Sequence, residues 1–237
     1  MKVEIWSDVV CPWCYIGKRR FESALSRFEH RDQVDVTWRS FELNPHAEAE
    51  EQGGLAQRLA SKYGMTLEQA NAANERVAAA AFGEGLEFRL DAARPGNTFD
   101  AHRLIHLAKQ RGVQGLAKER LMAAYFSEGR RIGDPETLVA LVAEVGIGAD
   151  EARQALESGA YSAEVRAEER EAAELGITGV PFFVLDRRYG VSGAQPPELM
   201  SQALEQAWKD AHPMTLVTPA TPAANEEASC EDGSCAI

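Results

Sequence analysis

Near the amino end the hydrophobic pattern changes period within a few residues. Residues 3–6 (VEIW) form a short strand-like run that leads into a turn. From Cys14 onward the inward positions are Cys14, Gly17, Phe21, Leu25 and Phe28, spaced by three or four, which is one face of a helix. Val34, Val36 and Trp38 then alternate with Asp35, Thr37 and Arg39, and this predicts a second strand with one buried face. A strand, a helix and a strand in succession predict a βαβ unit with parallel strands and a right-handed crossover. The run FELNP at 41–45 leaves the sheet, because Pro45 cannot donate to a ladder.

Residues 48–175 read almost entirely as helix, rich in Ala and broken at Gly and Pro. Residues 55–63 make a short amphipathic segment closed by Gly64. Thr66 and Gln69 have capping-box spacing and open a helix to about Phe82. After a loop at 91–96, helices are expected over 98–110 and over 114–128, the second with Leu116, Leu121, Met122 and Phe126 inward. Asp134 is an N-cap candidate with Pro135 at the first helical position, and Leu138, Leu141 and Val142 form the stripe behind it. Helices over 149–158 and 162–175 follow, the latter with a solvated face of Glu and Arg. Residues 181–185 (PFFVL) are a short buried strand, 186–188 a turn and 189–191 its return, so the pair is a hairpin. A helix over 197–208 closes the ordered pattern. The chain is therefore α/β, divided as 1–47 and 176–211 around a helical insertion at 48–175, with a tail at 212–237. That tail holds three prolines and several acidic side chains but no Lys or Arg, and it is expected to be loosely held.

The length of 237 residues and 45% hydrophobic content suffice for a full core. A formal net charge of −12 argues against a nucleic-acid surface and against attraction to anionic membranes. No apolar run approaches a membrane span, and MKVEIWSD leads straight into a strand without a signal-peptide pattern, so a cytoplasmic location is expected. In that compartment disulfides are usually transient and catalytic. The four cysteines fall in two close pairs, which suits such use better than a structural framework.

The first pair is Cys11-Pro12-Trp13-Cys14. Pro12 suits the first helical position, which sets Cys11 at the helix N-terminus and Cys14 one turn on, within disulfide range. The thiolate is the form that attacks disulfides, and the helix dipole favours it at Cys11 by about 0.3–2 kcal/mol. Cys11 is therefore expected to be the nucleophile and Cys14, on the core-facing stripe, the resolving thiol. A structural bridge and half of a zinc site are the alternatives for such a pair. Its place between strand and helix, with Pro inside, favours redox chemistry.

The segment SDVVCPWCYIGKRRFE resembles the DsbA-family thioredoxin-fold oxidoreductases of the FrnE type, relatives of 2-hydroxychromene-2-carboxylate isomerases and kappa-class glutathione transferases. Other pieces match in order: Asn97-Thr98 with Ala101-His102-Arg103, FSEGRRIGDPE at 126–136, Gly179 to Phe183, and Val191 to Gln195. The resemblance spans about residues 2–210 and implies a thioredoxin fold, βαβ…ββα, with a large helical insertion. It also implies that Pro181 is a cis-proline, with Val180 placed to pair with an extended substrate segment. The isomerase and transferase branches usually carry serine at the position of Cys11, so this chain points to dithiol chemistry.

Trp13 is expected to be part-exposed beside the sulfur and, with Pro12, to meet substrate. Asp8 reads as a turn cap or a solvated carboxylate, with proton acceptance from Cys14 as its functional alternative. His102 and His106 have zinc-compatible i, i+4 spacing, but no third ligand is evident, so they read as a packed or surface pair and no metal site is expected. Cys230 and Cys235 flank an Asp-Gly turn signal; a second redox pair is the preferred reading, with a passive tail pair and zinc shared with Cys11 and Cys14, which would block the site, as the alternatives. The ~20 residues between Trp208 and Cys230 would span roughly 25 Å as a flexible chain, against a radius of gyration near 17–18 Å for a domain of this size. The pair is therefore within reach of the first, at an effective concentration near millimolar.

The expected activity is thiol–disulfide exchange on oxidised or unfolded proteins. It needs no bound cofactor, and electrons would come from an external thiol such as glutathione or thioredoxin. The competing functions are a glutathione-dependent isomerase or transferase and a chaperone-like binding module.

Overall fold

Residues 1–49 and 53–213 are described by a computed structural model. Strand β1 (Lys2–Ser7) feeds helix α1 (Pro12–Arg27), which returns through a 3₁₀ turn to β2 (Asp35–Ser40). Seven helices follow: α2 (Leu55–Tyr63), α3 (Leu67–Gly83), α4 (Phe99–Gln110), α5 (Gln114–Phe126), α6 (Pro135–Ala143), α7 (Ala149–Glu157) and α8 (Ser162–Glu174). The hairpin β3 (Phe182–Leu185) and β4 (Tyr189–Ser192) and helix α9 (Pro197–Ala211) complete the described chain. The sheet order is β2-β1-β3-β4, with β1 parallel to β2 and antiparallel to β3. This is an α/β thioredoxin fold with helices inserted between β2 and β3.

Register explains which residues meet. Ile5 lies opposite Trp38 on one side and Phe183 on the other, and Phe183 lies opposite Val191. These side chains share a face that α1 and α9 cover with Phe21, Met200 and Leu204. The Phe21 and Phe183 rings stand 5.5 Å apart, centroid to centroid. The opposite face carries Glu4, Trp6, Thr37 and Arg39 and is covered by α8. The alternation in β2 predicted one buried face, yet Thr37 on the other face is buried as well. The reason is that both sides of the strand are roofed.

Local signals place the helix ends. Thr66 and Gln69 form the capping box of α3, the Gln69 N–H donating to Thr66 Oγ1 at 3.1 Å. Asp134 caps α6 by accepting from the Thr137 N–H at 2.8 Å, with Pro135 at the first position. Helix α5 departs from expectation: Leu116 is 59% exposed. Leu121, Met122 and Phe126 are buried as expected, and Gln114, Lys118 and Tyr125 are buried beside them, so the inward surface of α5 takes in two polar side chains in place of Leu116. Gln114 is buried with both ends of its amide paired. Its amide accepts from the Trp38 N–H at 3.0 Å and donates to the Trp38 carbonyl at 2.9 Å, closing the free edge of β2. Helix α8 also departs, because Glu168 on its expected solvated face is buried.

Candidate active site

Cys11 is the N-cap residue of α1, with φ −87° and ψ 113°, and Pro12 takes the first helical position. The turn is closed by the Cys14 N–H donating to the Cys11 carbonyl at 3.0 Å and the Cys11 N–H donating to the Asp8 carbonyl at 3.3 Å. Both sulfurs are free thiols. Cys14 is fully buried, which pushes its thiol well above the usual range. Its S–H also donates to the Cys11 sulfur, which holds the proton further. The nearby Lys118 charge and the Asp8 backbone N–H act the other way and favour the Cys14 thiolate.

Cys11 is only 5% exposed, but it lines the wall of a groove of about 480 Å³ between α1, the 43–47 loop and the helical insertion. Leu43, Leu59, Met65 and Val77 make apolar wall, and Arg58 and Lys62 come from α2. Trp13, 43% exposed, and Val180 also line it. The Cys11 thiol donates to the Val180 carbonyl at 3.5 Å, and the Val180–Pro181 bond is cis. Gly17 lets α1 approach this loop: a Cβ there would lie 3.0 Å from Pro181 Cγ.

Asp8 is neither solvated nor a cap of α1. It is fully buried, accepts from the Leu43 N–H at 2.8 Å and stands 3.4 Å from His102 Nε2. Burial acts to raise its pKa, but the hydrogen bond and charge of His102, with the Leu43 N–H and the Lys118 charge, outweigh this and hold it below the usual carboxylate range. Burial pushes His102 down. The two histidines are a packed pair, each committed to a different carboxylate: His106 Nε2 lies 3.1 Å from Glu168 and 3.2 Å from Ser40 Oγ. Among the described residues, no three His, Cys, Asp or Glu side chains gather as a metal site. Cys230 and Cys235 lie outside the described residues.

Lys118 escaped the sequence reading. Only its spacing betrays it, since it sits in line with Gln114, Leu121 and Tyr125 on the buried stripe of α5. It is fully buried, and its Nζ donates at 3.1 Å to the carbonyl of Ser7, the last residue of β1 before the turn that carries the two cysteines.

A thioredoxin sheet, a helix-capping cysteine with a buried partner, and a proline loop against the first sulfur together define a thioredoxin-fold dithiol protein. The chain belongs to the DsbA-like thioredoxin domain family, whose family model matches residues 2–205. Its structure is similar to that of a probable DsbA oxidoreductase from Streptomyces coelicolor, with 50% identity, a TM-score of 0.86, and coverage of 92% of this chain and 94% of that one. The cytosolic disulfide reductase DsbM of Pseudomonas aeruginosa shares the fold at 20% identity and a TM-score of 0.61, covering 88% and 99% of the two chains. The uncharacterized protein YwbO of Bacillus subtilis is 28% identical over 209 residues, 87% of this chain and 97% of its own length. Among the described residues, no helix is long and apolar enough to cross a membrane.

Proposed function

We propose that this oxidoreductase reduces or isomerises disulfides of protein substrates, with Cys11 as nucleophile and Cys14 as resolving thiol. The reading is carried by the division of labour between the sulfurs: Cys14 is sealed in the core and donates its proton to Cys11, while Cys11 borders the groove. Attack of the Cys11 thiolate on a substrate disulfide forms a mixed disulfide and expels one substrate thiolate. Attack of Cys14 on Cys11 then breaks that bond and releases the second substrate thiol. Pro12, Trp13, Val180 and Pro181 border the approach to Cys11 and would hold an extended, partly apolar substrate segment.

The cycle leaves a Cys11–Cys14 disulfide that an external thiol must reduce, and glutathione or thioredoxin would serve. The shared fold of the cytosolic disulfide reductase DsbM, whose structure holds GSH, is in keeping with a cytoplasmic setting for such an exchange, and a part in repairing oxidised proteins would follow from the activity itself. Cys230 and Cys235 would act as a second pair, exchanging with Cys11–Cys14.

Turnover of a peptide disulfide with glutathione as reductant tests the reading. Cys11→Ser should abolish it, and Cys14→Ala should halt it at a trapped mixed disulfide. Persistent turnover in Cys14→Ala would transfer the protein to the glutathione-dependent isomerase or transferase reading, which the roomy groove beside Cys11 favours as second choice. Suppression of aggregation that survives Cys11→Ser, without any exchange activity, would make it a binding module. If changing Cys230 and Cys235 together to serine leaves both turnover and re-oxidation of the first pair unaltered, the tail has no part in the cycle.

A further inference from the structure

The second half of this cycle has an unsolved difficulty. Cys14 must attack as a thiolate, yet it lies in the core, where charge is disfavoured. Something buried must offset that charge. Asp8 has the wrong sign, and it is already engaged by the Leu43 N–H and His102. His102 is engaged by Asp8, 3.4 Å away, and burial disfavours its charge. Glu168 and His106 are committed to each other, with Arg39 and the Ser40 N–H also on Glu168.

Lys118 is the remaining group. Among the described residues its Nζ bonds only the Ser7 carbonyl, stands 5.9 Å from the Trp38 ring centroid and pairs with no carboxylate. A buried ammonium without a carboxylate partner is costly, and such placement usually marks a use. The groups that face it are Cys11 and Cys14 from α1, Asp8 from the preceding turn, Glu168 from α8 and His102 from α4. Among its charge partners Cys14 acts most strongly, and reciprocally Lys118 is the strongest influence favouring the Cys14 thiolate.

Resting on the dithiol reading above, we infer that Lys118, delivered by the helical insertion, is the counter-charge that makes Cys14 competent to resolve the mixed disulfide. In this step the Cys14–Cys11 sulfur bond forms and the bond from Cys11 to the substrate sulfur breaks. The electron pair leaves with the substrate sulfur, which ends with the proton that Cys14 gave up. Lys118 transfers nothing and bonds neither sulfur, so it is a positioning residue that acts through Cys14. Burial brings its own ammonium down to about 8, so its charge is present at neutral pH and is lost in mildly alkaline solution.

A single-turnover reaction with an aromatic disulfide that releases a coloured thiol separates the two steps. The full chain is used with Cys230 and Cys235 changed to serine, so that only the first pair reports. The first release follows Cys11 and the second follows Cys14. In Lys118→Met the second phase should slow about tenfold at pH 7 and its pH midpoint should rise by about one unit, while the first changes less than threefold. Lys118→Gln, which keeps a donor for Ser7 but no charge, should behave alike, and Lys118→Arg should recover much of the rate. An unchanged second phase in both neutral variants, or equal slowing of both phases, would overturn the assignment. Should the variants fail to fold, NMR titration of Lys118 in the unaltered protein decides. The second phase should level off above the midpoint so measured, because the thiolate gained with rising pH is offset by loss of the ammonium, and a second phase still rising tenfold per pH unit through the Lys118 midpoint would refute the role. A missing second phase in the unaltered chain would instead defeat the dithiol reading on which this inference stands.

Discussion

The two faces of the sheet are made of different materials. Toward α1 and α9 the fill is hydrocarbon and aromatic: Val3, Ile5, Phe21, Phe183, Leu185, Met200 and Leu204. Toward α8 the interior is threaded with charge. Glu4 accepts from Arg39 and Arg187, each at 2.8 Å. Arg39 also reaches Glu168 at 2.8 Å, and Glu168 accepts from the Ser40 N–H at 2.7 Å and meets His106. The apolar face gains by removing surface from water and is indifferent to orientation and pH. The charged face gains only where every partner is present, since a stranded buried charge is expensive. The dithiol turn lies where the Trx-like sheet meets the helical insertion, with Cys11 and Cys14 joined to the insertion's own core.

Four substitutions sharpen or break this contrast. The largest effect belongs to Phe183→Ala at the centre of the apolar face, which should cost about 3–5 kcal/mol by denaturant unfolding, equally at pH 7 and pH 4. Next is Glu168→Gln, expected to cost about 2–3 kcal/mol at pH 7. Its pH dependence distinguishes the faces. Hydrogen bonds from His106, Arg39 and the Ser40 N–H overcome the effect of burial and hold the Glu168 carboxyl down to about 2, against an ordinary 4.5. A depressed folded value means the stabilisation is complete above about pH 4.5 and fades as pH falls toward 2, so the gap between Glu168→Gln and the parent should close over that window. A gap constant down to pH 2 would show that the charge contributes nothing there.

Gln114→Ala should cost about 1–2 kcal/mol by leaving both Trp38 backbone groups without their partners. Hydrogen exchange of the Trp38 amide should accelerate more than that of Ile5 in the central strand. The smallest effect is expected at Leu116. Although apolar and centred in a helix, it is exposed, so Leu116→Glu should shift stability by no more than about 0.5 kcal/mol. A loss above 2 kcal/mol there would mean that α5 is rotated relative to this description.

Much of the architecture is legible before folding is considered. The Thr66–Gln69 box, the Asp134-Pro135 start and the glycines that follow α2 to α8 act within a few residues, so their chemistry is local. The same is true of Cys11-Pro12-Trp13-Cys14, where the spacing and the proline place one sulfur at a helix start and the other a turn later. What escaped is the buried polar set. Gln114, Lys118 and Glu168 sit on helices amid other polar residues and look like parts of solvated faces. Asp8, three residues before Cys11, looks like a turn cap.

Period and capping thus determined the strands, most helix limits and the placing of Cys11 and Cys14 at the start of α1, because those features depend on neighbours in the chain. Tertiary structure decided which polar side chains would lose their water. Lys118 and Ser7 are joined across 111 positions, Glu168 and Ser40 across 128, and Asp8 and His102 across 94. No local rule carries that information, since whether a charge is solvated or buried depends on what packs over it.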